Sequence, residues 1–160
     1  MNPDPAAASP ADLEGATIGI VVSDEHSELT SQMLEGALDT LKQFGVETED
    51  IFVSHVPSVL ELTFAARQMS ITQEPKAVIM LGYSRAPEDA GPQFSPQHHS
   101  AMQSVVHGYT ELNLHSEIPY IFGVVTDLDV SAYSCGKEIG SKCACKVQSM
   151  VNMMANLVIK

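Results

Sequence analysis

The chain has 160 residues, 44% of them hydrophobic, and a formal net charge of −12. That length suits one domain burying roughly 70% of its unfolded surface, and no apolar run reaches the ~20 residues of a membrane span. So acidic a chain repels nucleic acid and anionic membrane, which sets both aside as partners.

Residues Met1 to Glu14 are rich in Ala, Pro and Asp and read as a disordered leader, with the folded domain over 15–160. The leader has no Arg, several acids and no basic-then-apolar start, so it resembles neither a targeting peptide nor a secretory signal. Ala16 to Ser23 predicts the first strand. Ser27 to Phe44 predicts a helix, with Leu29, Met33, Ala37, Leu38 and Leu41 on one face, Ser27 as N-cap and Gly45 as the C-terminal stop. Ile51 to Val56 is a second strand, and Pro57 turns the chain into a second helix, Val59 to Ser70. Ala77 to Ser84 is the third strand. Arg85 to Phe94 holds Pro87, Gly91 and Pro92 and reads as a loop. A third helix runs from about Ser95 to His115, with Pro96 at its first position. Pro119 to Thr126 is the fourth strand. Val130 to Ile159 is helical, and Gly136 and Gly140 predict a kinked pair there.

Continuous β-branched and aliphatic runs mark strands buried on both faces, hence a parallel sheet covered by helices. The expected class is α/β, a three-layer sandwich around a four-stranded parallel sheet. Such sheets bind ligands outside the carboxyl ends of their strands. The places to look are Ser23 to Ser27, Pro57 to Glu61, Tyr83 to Phe94 and Thr126 onward.

Several short pieces then follow one another in a recognisable order. They are Gly19-Ile20-Val21-Val22-Ser23, Val56-Pro57 with Glu61-Leu62, Leu81-Gly82, Pro119 with Ile121-Phe122-Gly123-Val124-Val125-Thr126, Gly136 with Gly140 and Lys142, and Met154-Ala155-Asn156-Leu157. From about Thr17 to Leu157 the chain resembles the 6,7-dimethyl-8-ribityllumazine synthase family of riboflavin synthesis. The resemblance implies a four-stranded parallel sheet flanked by helices, pentamers and often shells of sixty subunits, and a site between neighbouring subunits. It implies condensation of a ribitylamino-pyrimidinedione with a four-carbon ketone phosphate.

The departures from the family pattern concentrate at the site it implies. The family's stacking aromatic and following Asn correspond to Glu25 and His26, and a carboxylate does not stack on an apolar ring face. The family's small–small–aromatic run before its Glu corresponds to Ser58, Val59 and Leu60, ahead of Glu61. The resemblance assigns this segment to the ribityl hydroxyls, and Phe122 to the substrate pocket. The family's acid/base His, directly before an aromatic, corresponds to Gln93 before Phe94, and Gln exchanges no proton near pH 7. The loop is about two residues longer and carries Glu88 and Asp89. The family's phosphate-clamping Arg corresponds to Ser134 and an expected Lys to Glu138, while Lys142 is retained. A hydroxyl in place of a guanidinium removes a bidentate phosphate contact.

Each of these residues also has a plainer reading. His98 and His99 open the third helix, either to take over proton transfer or as surface histidines on a first turn. Glu25, His26 and His55 lack metal-ligand spacing. Cys143 and Cys145 point to different helix faces, which does not suit a closed metal site, and at least one belongs in the core. Glu61 holds a ribityl hydroxyl or simply suits the positive end of a helix. Lys142 binds phosphate or neutralises Glu138 one turn away. Met150, Met153 and Met154 fit a core or a subunit contact. No metal and no cofactor is expected.

Two functions remain open on the sequence. One is a working synthase with weakened activity. The other is a non-catalytic paralogue that keeps the oligomeric fold as a ring or shell, or binds a pyrimidine or flavin-like ligand. The expected partners are copies of the chain itself, as a pentamer or a sixty-subunit shell, together with that small molecule. Three cysteines in one late segment suggest a reduced, cytoplasmic protein.

Overall fold

The four strand-forming runs join in a single parallel sheet, with the first and third in its middle. The computed structural model describes residues 13–85, 96–130, 133 and 135–158. Strands β1 (Ile18–Ser23), β2 (Ile51–Val56), β3 (Ala77–Ser84) and β4 (Tyr120–Thr126) are ordered β2-β1-β3-β4, all parallel. Every residue of central β1 is buried. The polar residues Ser54 and His55 fall on edge strand β2, which is largely exposed.

Alternation across the pleat divides the core between two faces. Ile18, Ile20, Val22, Ile79 and Leu81 face helices α1 (Ser27–Gln43) and α5 (Gly136–Val158). Val21, Val78 and Met80 face α2 (Leu62–Gln73) and α3 (Pro96–Leu114) through Leu62, Ala66, Met69 and Val105. The result is the three-layer α/β sandwich expected from the sequence. A short helix, α4 (Asp127–Val130), follows β4. The core reaches back to Leu13, which is buried and donates its N–H to the Phe44 carbonyl at 3.1 Å. Of the expected leader, residues 1–12 lie outside the described residues.

Three details correct the sequence reading. Gly140 does not interrupt α5, which runs unbroken from Gly136. A Cβ on Gly140 would land on the Met33 carbonyl oxygen, and one on Gly36 would meet the Lys137 carbonyl. These glycines let α1 and α5 cross backbone against backbone, so they serve packing rather than bending. Ser27 is not the N-cap of α1. His26 takes that place in the left-handed region, φ +57°, with no side-chain cap bond. The second helix is divided: a 3-10 turn over Val59–Glu61 precedes α2, which then continues to Gln73. Gly45 does stop α1. At φ +92° it donates to the Lys42 carbonyl while Val46 donates to that of Leu41, which closes the helix end.

Candidate functional site at the strand ends

The parallel sheet brings Ser23–His26, Pro57–Glu61, Tyr83–Arg85 and Thr126–Asp127 to one rim. Asp24 extends the β1–β2 ladder by one bond, its N–H donating to the Val56 carbonyl at 2.8 Å. That places its carboxylate 2.8 Å from Nδ1 of His55, with both side chains more than half exposed. Exposed pairs of this kind contribute about 0–1 kcal/mol.

After β2, Ser58 and Glu61 form a capping box. The Ser58 hydroxyl and backbone N–H both donate to Glu61 Oε2, the latter at 2.9 Å, and Leu60 N–H donates to Ser58 Oγ at 3.3 Å. The Ser58 hydroxyl holds the Glu61 carboxyl below its ordinary range, and the Ser58 backbone N–H adds to this. Glu61 is therefore an ionised acceptor at neutral pH. Val59 is buried beneath the turn, while Leu60 is 55% exposed.

Between the start of α1 and the end of β3 lies a cleft of about 430 Å³, lined by Asp24, His26, Ser27, Glu28, Leu29, Tyr83 and Arg85. The His26 and Tyr83 rings meet edge to face, 5.1 Å between centroids. On its other side, the Tyr83 hydroxyl donates to Asp127 Oδ1. Glu25 is exposed beside this cleft and does not line it.

The remaining expected residues lie elsewhere. Phe122 is half-buried on β4, its ring 4.9 Å from that of Tyr109, in a groove of about 730 Å³ that also holds Lys146, Met150, Met153 and Met154. Lys142 on α5 sits 3.6 Å from Glu138 Oε1 and 4.7 Å from the Tyr133 ring centroid. His98 is half-buried and His99 exposed on the first turn of α3. Gln93, Ser134, Glu88 and Asp89 lie outside the described residues. Among the described residues no three His, Cys, Asp or Glu side chains are placed to hold a metal ion. No helix among them is long and apolar enough to cross a membrane.

One chain thus gathers Asp24, His26, Ser58 and Glu61 on the rim but leaves Phe122 and Lys142 on other surfaces. Residues 15–157 match the sequence model of the 6,7-dimethyl-8-ribityllumazine synthase family. The chain belongs to this family. It is 37% identical over 149 residues to the 6,7-dimethyl-8-ribityllumazine synthase of Parabacteroides distasonis, covering 90% of this chain and 89% of that protein. It is 31% identical over 144 residues to the synthase of Bacteroides fragilis, covering 87% and 96%. The synthase of Limosilactobacillus reuteri is 30% identical over 146 residues, covering 89% and 90%. As a lumazine synthase family member, the chain is tied to riboflavin biosynthesis.

Sequence reasoning placed Tyr83 to Phe94 and Thr126 onward at the rim but gave Tyr83 and Asp127 no role. The usable signal was register: Tyr83 pairs with Val125 and Ser84 with Thr126, so Asp127 is the next residue along the rim. It gave His55 no partner, where the fold pairs it with Asp24.

Proposed function

We propose that this chain performs the family reaction, condensing a ribitylamino-pyrimidinedione with a four-carbon ketone phosphate, with a weakened hold on the phosphate. The observation that carries this reading is the state of Lys142. It is the cation retained at the family's anion-binding positions, and Glu138 and the Tyr133 ring engage it. Ser134 and Glu138 stand where the resemblance expects Arg and Lys. Loss of one Arg–phosphate contact is worth roughly 1.5–3 kcal/mol, about ten- to more than a hundred-fold in affinity. The ionised Glu61 box supports retention of the ribityl end. Gln93 removes a proton-transfer group, yet bringing two substrates together supplies much of such a rate by itself.

We assign the groove on β4 to a neighbouring subunit in a pentamer. It lies at the β4 edge of the sheet and has an apolar lining that includes exposed Leu114 and Met153. A shell of sixty subunits is compatible with the shortness of the Ser134 to Lys142 segment, with charge repulsion opposing it at low salt. Light scattering should give five times 17.2 kDa or more, and a monomer mass would overturn the assembly. The three free cysteines fit a reducing cytoplasm.

Incubation with both substrates should produce the lumazine chromophore slowly. No product at any substrate concentration, with purified lumazine still bound, would favour the non-catalytic reading, to which Gln93 already points.

A further inference from the structure

The rim cleft has one aromatic side, formed by His26 and Tyr83. Tyr83 lies near the end of β3 on the same face as Ile79 and Leu81, packs against that core and also lines the cleft. Two contacts from different elements fix it. His26 packs edge to face at 5.1 Å, and Asp127 accepts its hydroxyl hydrogen bond. His26 reaches this position only through a left-handed backbone at the start of α1. That conformation costs an L-residue about 1–2 kcal/mol, and it is expected where contacts matter more than local propensity. The facing groups on the rim, Asp24 and Glu28, are hydrogen-bond acceptors, with Arg85 as the cation.

We propose that Tyr83, held by Asp127 and flanked by His26, is the ring platform of this site and selects a planar nitrogen heterocycle with N–H donors on its edge. This rests on the synthase reading above, and it assigns the pyrimidine end of the substrate to residues of this chain. A ring held at its hydroxyl by Asp127 and packed edge to face with His26 loses little freedom when a ligand stacks on it. An offset-stacked heteroaromatic gains beyond its buried area from such a surface. Carboxylates on the rim complement edge N–H groups of an uncharged ring and disfavour an anionic one. Tyr83 is thus a specificity-determining residue, while Asp127 and His26 are positioning residues.

The test uses the full-length protein and 6,7-dimethyl-8-ribityllumazine as a fluorescent probe, titrated into wild type, Tyr83→Phe and Tyr83→Leu. Stacking on the ring should quench the probe in wild type and in Tyr83→Phe, which keeps the π-face but loses the Asp127 bond and so should bind about threefold more weakly. Tyr83→Leu keeps apolar bulk without a π-face, so it should weaken binding about tenfold and abolish the quenching. Far-UV circular dichroism and light scattering on all three proteins show whether the fold and assembly are kept. A Leu variant that binds and quenches like wild type overturns the proposal and leaves the synthase reading intact. Equal weakening by Phe and Leu also overturns it, because the hydroxyl rather than the ring face would then matter. Wild type that binds no lumazine overturns the proposal and the synthase reading together. Should Tyr83→Leu not fold, Asp127→Ala takes its place. With the ring released from its hydroxyl partner, binding should weaken about threefold and the quenching should fall, and binding and quenching as in wild type would overturn the platform role.

Discussion

The α1–α5 crossing and the strand-end rim sit a few residues apart in sequence but follow opposite rules. At the crossing, Gly36 and Gly140 remove side chains so that two backbones touch, and Thr40 Oγ1 donates to Ser141 Oγ at 2.7 Å beside them. Lys137 adds a 2.9 Å ion pair with Glu35, which raises the lysine's pKa, chiefly through their hydrogen bond. Every local choice there favours the fold. At the rim, α1 starts without a side-chain cap, His26 adopts a left-handed backbone, and Ser23 Oγ is buried without a hydrogen-bond partner among the described residues. Local inconsistency of this kind is what a functional surface is expected to carry, which supports the rim as the proposed site.

The largest expected effect comes from breaking the crossing. Gly140→Ala forces a methyl group onto the Met33 carbonyl and should destabilise by about 3 kcal/mol, read from chemical denaturation. An equal effect from an alanine at exposed Ser149 on the same helix would remove the close-approach explanation.

The opposite sign is expected at the rim. His26→Gly relieves the left-handed strain and should raise stability by about 0.5–1 kcal/mol after the lost Tyr83 contact is allowed for. The same variant should bind lumazine more weakly. A loss of stability would mean that His26 is chosen for the fold rather than for the site.

Thiol chemistry separates surface from core on α5. Burial pushes the Cys143 pKa up to about 11, whereas Cys135 is exposed. Iodoacetamide at pH 8 should therefore label Cys135 in the native protein long before Cys143, as mass spectrometry of the digest would read. The raised value also has a stability consequence of definite sign. Its contribution is full below the unfolded value of 9.0 and is lost as pH rises towards 11.

The smallest effect concerns the capping box. With its pKa lowered by Ser58, Glu61 stays ionised below 4.5, and the box is lost as pH falls through the folded value. Ser58→Ala should move the Glu61 carboxyl titration back up, as followed by carbon NMR. An unmoved titration would mean that the hydroxyl contact does not persist in solution.

The strands were the most legible part of the chain. Ile51–Val56 and Ala77–Ser84 form with the predicted bounds, and for Ala77–Ser84 burial on both faces leaves a continuous apolar signal. That one of Cys143 and Cys145 enters the core was legible from the apolar character of a free thiol, and the fold buries Cys143. Gly140 was misread because a glycine that breaks a helix and one that admits a neighbouring backbone look alike without the partner helix. Ser27 lost the cap because His26 is drawn to Tyr83, a contact 57 positions away that no local pattern carries. The family and its order of motifs could be read from short pieces, whereas the Tyr83–Asp127 link needed the β3–β4 register.

The central claim is a lumazine synthase family site that has loosened its grip on phosphate. Its most direct test is the dependence of lumazine formation on ketone phosphate concentration, measured for this protein, for its Ser134→Arg/Gln93→His double variant and for the Parabacteroides distasonis synthase. The account predicts a KM for this protein at least about tenfold above that of the relative. It predicts that the double variant recovers more than either single change, since the Arg would hold the substrate on which the His acts. Turnover by the unmodified protein with the relative's KM and rate would contradict it, and would direct attention to His98 and His99 as the proton-transfer groups.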